Sequence, residues 1–453
     1  MRRTKAITLA LLAIGGAALL GAGPASADKD FSKYAIESLS ASLSSQQAGA
    51  HADFSVTFKL TETEGKPYAF TRETHVTLPP GIFGNPQALP LCTLAQFGED
   101  PVKSECPQDS QVGVIDIKLA GTVNATLTEP IYNIEAPGGD IAARFGFFAG
   151  PYPTLLNLRL NPKDYSLVAS IEGAASAAEL IAAQATFWGV PANPAHDELR
   201  LTPAEAVKFE LPPGGRPSGQ PEVPFMTNPT YCEGGGQITA TAISYQRPDL
   251  LSTLSAPFPQ MGGCGSLEFN PSTAVAPTTA QASGASGASY ELDFPTKGLE
   301  FPNLNAASQL RRTEVLLPEG MTLNPSASNG QGVCTEADFA RETYNSAPNV
   351  GCPESSKLGT ALGTTPLLDR EARGSLYLAK PYDNPVGTLI AFYLVLKVPD
   401  RGVMVKLVGE VTPDPSTGQL KVVFEDVPPL PVAHFELSLR ESANAPLITP
   451  PRC

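Results

Sequence analysis

The chain says one thing twice. It reads Leu78-Pro79-Pro80-Gly81, Asn85-Pro86, Cys92-Thr93-Leu94-Ala95-Gln96-Phe97 and Cys106-Pro107-Gln108-Asp109-Ser110-Gln111-Val112-Gly113. Later it reads Leu317-Pro318-Glu319-Gly320, Asn324-Pro325, Cys334-Thr335-Glu336-Ala337-Asp338-Phe339 and Cys352-Pro353-Glu354-Ser355-Ser356-Lys357-Leu358-Gly359. Self-similarity on this scale restricts the fold to two copies of one unit, each burying its own apolar residues. It points to a modular protein rather than one catalytic domain.

The unit is expected to be all-β. Residues 54–60 alternate, with Phe54, Val56, Phe58 and Leu60 on one face and Ser55, Thr57 and Lys59 on the other, the signature of a half-buried strand. Similar runs lie at 74–78, 112–119, 125–134, 143–148, 154–160 and 165–171, separated by Gly, Pro, Asn and Asp. The 45 prolines and 40 glycines disfavour helix interiors and supply turns. In the second copy 388–398 matches the 143–160 region, and 400–409 matches 164–173. A hairpin is expected in 411–422 around Asp414-Pro415-Ser416-Thr417-Gly418. Helical signals are few: 174–184 is the best candidate, with strand and loop as its alternative because of Gly173 and the apolar run into Phe187-Trp188, and single turns are expected after Cys92 and Cys334, capped by Thr93 and Thr335. Many short strands at this spacing predict tandem β-sandwich modules of immunoglobulin-like type with little helix. The segments 211–224 and 272–289 read as a loop and as a linker or weak edge.

The N-terminus has the form of an export signal: basic Arg2, Arg3 and Lys5, an apolar run 6–20, and the small-residue site Ala25-Ser26-Ala27. Cleavage would start the chain at Asp28, and no second apolar stretch is long enough to span a membrane. The formal net charge of −14 becomes more negative without those three cations. The charge is dispersed, which argues for solubility and against nucleic acid or anionic membranes as partners. Seven cysteines in an exported chain suggest disulfides. The local pair recurs in both copies, so Cys92 is expected to join Cys106 and Cys334 to join Cys352. Cys232 and Cys264 then pair by elimination. No CxxC pair or histidine cluster supports a metal site instead. The stretch 224–232 resembles 445–453, which makes Cys453 the counterpart of Cys232. Its partner would fall beyond the last residue, so Cys453 is expected to be unpaired or to link two chains as a dimer.

Little in the sequence carries chemistry. The four histidines, His51, His75, His196 and His434, form no ligand motif, and no GxSxG elbow is present. Trp188, His196 and Asp197 make the one site-like cluster. A hydrogen-bonded loop is the more economical reading, with hydrolysis as the alternative. No catalytic residue, metal or cofactor is expected. One tryptophan and 7% aromatic residues argue against an aromatic sugar-binding cleft.

The doubled Leu-Pro-x-Gly, Asn-Pro, Cys-Thr and Cys-Pro-x-x-Ser-x-x-Gly motifs, with Trp188-Gly189-Val190-Pro191 and Asp414-Pro415-Ser416-Thr417-Gly418-Gln419-Leu420, resemble a group of large, secreted, repeat-built proteins of unknown function from soil actinobacteria. The resemblance covers most of the mature chain and implies no catalytic residues. It also implies a longer C-terminal end than the one present. As fold-level analogy, the Leu-Pro-x-Gly strand ends are similar to bacterial surface repeats with immunoglobulin-like folds. The organisation expected is a signal peptide at 1–27, a first sandwich at 28–231, a small disulfide-closed module at 232–275, and a second, truncated sandwich at 276–453. The function expected is that of a secreted, non-catalytic structural or adhesive protein of the cell surface or matrix. The alternatives are a ligand-binding module for a cell-wall polymer or surface protein, and a hydrolase using the 188–197 loop.

Overall fold

The structure, a computed structural model, describes residues 30–120, 126–208 and 215–452. The expected signal peptide and Cys453 lie outside the described residues. The all-β expectation holds: strands dominate, and among the described residues no helix exceeds six residues.

Two large sheets organise the chain. The first contains β1 (Ile36–Leu43), β2 (Phe54–Leu60), β3 (Thr71–Thr77), β4 (Gln111–Leu119), β5 (Thr126–Ile134), β6 (Ala143–Ala149), β7 (Tyr152–Leu160), β8 (Leu167–Glu172), β9 (Leu180–Phe187), β10 (Gln237–Ser244) and β11 (Leu251–Pro257). Its order is β1-β2-β9-β4-β5-β6-β7-β8-β3-β10-β11, every neighbouring pair antiparallel. The second contains β12 (Ser272–Pro277), β13 (Ala288–Asp293), β14 (Thr313–Leu316), β15 (Lys357–Thr364), β16 (Ala372–Leu378), β17 (Ile390–Val398), β18 (Val403–Pro413), β19 (Leu420–Phe424) and β20 (His434–Leu439). Its order is β12-β13-β20-β15-β16-β17-β18-β19-β14, again antiparallel throughout. Strand for strand this is the first sheet without its last two members.

The first sheet curls until its ends meet. β11 returns beside β1, where the Ile36 N–H donates to Ser252 Oγ at 2.9 Å. A small core of Ile36, Leu60, Ala240 and Ala242, with Leu254 against it, straddles that seam. The barrel interior holds Phe54, Ile115, Ile117, Phe145, Phe147 and Phe258, among others. An immunoglobulin-like sandwich needs two sheets face to face, whereas each repeat here is one continuous curled sheet. Alternation along a strand shows which residues face inward, but both architectures satisfy it.

All three expected disulfides form, Cys92–Cys106, Cys334–Cys352 and Cys232–Cys264. The repeated local pair belongs to a repeated unit. Thr93 and Thr335 each cap a helical turn in a capping box, with Gln96 and Asp338 as reciprocal partners. Phe97 then stacks on Phe148 at 4.6 Å, and Phe339 on Tyr393 at 4.1 Å. The Leu-Pro-x-Gly motif has a local cause as well. Gly81 and Gly320 sit at φ +84° and +81°, where a side chain is strained. A Cβ on Gly81 would also lie 2.6 Å from the Tyr231 ring.

Several expectations are corrected. Residues 174–184 take the alternative of strand and loop rather than helix: a 3₁₀ turn at Ser176–Ala178 leads into β9, which is held by ladders to β2 and β4 on both sides. Sheet pairing overrides the helix propensity of its alanines. The proposed match of 164–173 with 400–409 is one strand out of step, because β8 lies in 164–173 and its counterpart by sheet order is β19. The segment 232–275, expected as a small module, gives β10 and β11 to the first sheet and begins β12 of the second. The 272–289 stretch does contain an edge strand, β12. The 411–422 hairpin is the β18–β19 turn, where Asp414 Oδ1 accepts the Ser416 and Thr417 N–H groups at 2.8 and 3.1 Å.

The repeats touch. The Ala306 N–H donates to the Gly49 carbonyl at 2.8 Å, and His51 Nε2 lies 2.8 Å from the Gly298 carbonyl oxygen. The Tyr165 hydroxyl donates to the Lys406 carbonyl and accepts its N–H, both at 3.0 Å.

Candidate binding site

The 188–197 loop is the one cluster that the sequence singles out. Trp188 is 1% exposed, and the His196 ring stacks on it at 4.5 Å with an interplanar angle of 8°. The Arg200 guanidinium lies 5.6 Å from the indole. Both imidazole nitrogens are engaged: Nδ1 is 3.1 Å from the Val190 carbonyl oxygen and Nε2 is 3.1 Å from Asp53 Oδ2. The other Asp53 oxygen accepts the Gly189 N–H at 2.8 Å. Burial pushes the Asp53 carboxyl up, but the bonds from His196 and Gly189 outweigh it and hold the group below its ordinary value. Asp197 does not meet His196. It accepts from Arg200 Nη2 at 3.1 Å, and Arg200 also donates to the Pro191 and Arg216 carbonyls.

Sequence reasoning thus found Trp188, His196 and Asp197 but missed Asp53 and Arg200. Arg200 lies close by in the sequence and was legible as a partner for Asp197. Asp53 is far away in the chain, and nothing local marks it. The arrangement is a buried, fully bonded plug, with no face of Trp188 open to a sugar and no free ring nitrogen on His196. A His196→Ala substitution is expected to lower the stability of the first repeat by about 3 kcal/mol through the orphaned Asp53 and the lost ring stack. Denaturant unfolding followed by the emission of Trp188, the one tryptophan of the chain, measures it.

The second sheet offers something different. Its interior encloses a cavity of about 780 Å³ lined by Leu376, Phe392, Leu394, Val405, Leu407 and Leu437, among others. Every strand from β12 to β20 contributes to the wall, and so do Phe83, Pro86, Ala143, Leu158 and Leu167 of the first repeat. The volume falls in the range of small-ligand and cofactor pockets, and its lining is apolar as theirs is. In the first repeat side chains take up much of the corresponding space. Phe225 and Met226 enter it just before β10, and Phe258 and Met261 just after β11. Among the described residues the second sheet has no counterpart of β10 and β11 beside β14.

The opening lies between β12 and β14. Val275 on β12 is 56% exposed and Leu316 on β14 is 49% exposed, and both also line the cavity. Gln309 and Gln331 bring the polarity. Gln309 has its amide nitrogen and oxygen both buried without a hydrogen-bond partner, and Gln331 Oε1 is likewise unpartnered. Such groups are costly unless something else satisfies them.

One further orphan sits in the first barrel. Glu129 on β5 is 2% exposed, is paired in register with Ile115, and its Oε2 has no partner. Burial in this apolar setting pushes its carboxyl up to about 8.

Among the described residues no group of His, Cys, Asp and Glu is placed to hold a metal ion, and no helix is long and apolar enough to cross a membrane. The fold and cavity define a class: a duplicated all-β protein of two curled sheets with one strand order and an apolar cavity inside the second. No family model, curated protein or solved structure matches the chain.

Proposed function

We propose that this is a secreted, non-catalytic structural protein of the cell surface or matrix, whose second barrel is a receptor site for an apolar guest. The observation that carries the reading is the apolar cavity of about 780 Å³ inside the second sheet, with the unpartnered amides of Gln309 and Gln331 in its wall. The three disulfides suit an oxidising compartment. The resemblance to secreted, repeat-built actinobacterial proteins belongs to the same proposal. The hydrolase alternative draws no support from the 188–197 loop, where His196 is committed to Asp53 and Val190.

Titration with a polarity-sensitive naphthalene dye tests the site. One equivalent is expected to bind with a rise in emission. Filling the cavity by Leu394→Trp together with Val405→Phe is expected to weaken uptake at least tenfold, with the first repeat's unfolding unchanged. Absence of saturable uptake by the parent protein would remove the receptor reading.

A further inference from the structure

Resting on the receptor reading above, we infer that the guest of the second barrel is a neutral amphiphile: an apolar chain that ends in a hydroxyl or an amide rather than in a charged group.

The cavity wall offers a charged head nothing to pair with. Among the described residues that line it there is no Lys, Arg or His. Its charged members are Glu291 on β13 and Glu314 on β14, both exposed, and Glu314 is already paired with Arg312 at 2.7 Å. A carboxylate drawn into this lining would lose its water and meet no cation, and an unpaired buried charge is strongly unfavourable. The first barrel shows that outcome in the same chain, where burial alone pushes the Glu129 carboxyl up to about 8.

The wall does offer hydrogen bonds. Gln309 carries a donor, Nε2, and an acceptor, Oε1, both buried and both without a partner. Gln331 spends its Nε2 on the Ser355 and Gly332 carbonyls, at 2.9 and 3.3 Å, and keeps its Oε1 unpartnered. A guest that satisfies these groups must both accept and donate. A carboxylate has no donor and an ammonium has no acceptor, so each leaves part of the set unmet, whereas a hydroxyl or a primary amide supplies both functions. Meeting buried, unpartnered groups removes their desolvation penalty, so the head group decides between guests of equal chain length. The leucines, valines and phenylalanines of the rest of the wall take the chain. Phe83, Leu158 and Leu167 place the first repeat against the guest as well.

The probes are decanamide, 1-decanol, decanoate and decylammonium, which share one chain length. Each is titrated at pH 8, below its aggregation concentration, into the full chain loaded with the naphthalene dye. Decanamide and 1-decanol are expected to displace the dye at concentrations at least about tenfold lower than either charged member. Gln309→Leu breaks no side-chain bond, because the Gln309 amide makes none, and it keeps the wall apolar. It should weaken displacement by decanamide at least about tenfold and leave dye uptake within about twofold of the parent. Equal or stronger displacement by decanoate or decylammonium overturns the proposal, as does a Gln309→Leu variant that keeps the parent's affinity for decanamide. Dye uptake that none of the four displaces rejects this guest and leaves the receptor site standing, whereas absence of saturable dye uptake rejects the receptor reading itself.

Discussion

Glu129→Gln is expected to stabilise the first repeat, and the gain is expected to grow with pH. The carboxyl is buried against apolar neighbours, its Oε2 has no partner, and burial pushes it up to about 8 from an ordinary 4.5. In the folded chain it holds its proton across the neutral range, while in the unfolded chain it releases it. A group whose folded pKa is raised contributes fully below the unfolded value, and that contribution is lost as the pH rises through the folded one. The loss therefore runs from about pH 4.5 to about pH 8 and amounts to about 3 kcal/mol at pH 7. Glutamine keeps the shape and cannot ionise. Parent and variant should lie within about 1 kcal/mol of each other at pH 4.5 and separate by roughly 3 kcal/mol or more at pH 8. Urea unfolding at the two pH values, followed by Trp188 emission, decides it. An equal difference at both would mean that Glu129 is not held neutral inside the barrel. Asp53 acts in the opposite sense. Its lowered carboxyl stabilises above the ordinary aspartate range, and that stabilisation is lost as the pH falls through the depressed value.

The second large effect is expected from Cys232→Ser with Cys264→Ser. This bridge spans 32 residues and brackets β10 and β11, the two strands that shut the first barrel. Loop-closure entropy for that span is about 3 to 4 kcal/mol. The other two bridges span 14 and 18 residues and pin single helical turns to the sheet. Their removal is expected to cost less in loop entropy and to leave the barrel seam intact. Thermal unfolding of the three double variants ranks them. If the Cys232–Cys264 variant is the least affected, the hairpin is held by its ladder to β3 alone.

Some parts of this molecule were readable in advance because their causes are local. Phe54, Val56 and Leu60 announce an inward face by alternation, and Thr93 and Thr335 announce caps by their spacing to Gln96 and Asp338. The disulfide pairs were readable because the duplication shows one local pair twice. Residues 174–184 were ambiguous for the opposite reason. Their alanines favour helix locally, and ladders to strands far away in the chain decide otherwise. The off-step match of 164–173 to 400–409 has a similar origin, since neighbouring β-strands look alike until their partners are known. The candidate site fared worst. The 188–197 loop stood out by composition and is a structural plug, while the cavity is lined by leucines and valines that read as ordinary core.

By itself, the sequence determined the duplication, the all-β class, the three bridges and the positions of the turns. Those follow from periodicity, cysteine spacing and the conformational limits of glycine and proline. Only the tertiary structure decided that each repeat is one curled sheet, that Asp53 holds His196, and that an apolar cavity lies inside the second sheet. These depend on contacts such as Val76 with Ala240 and Asp53 with His196, between residues widely separated in the chain. Such pairings are chosen by the burial and hydrogen bonding of the whole sheet, and a short stretch of sequence carries no record of them.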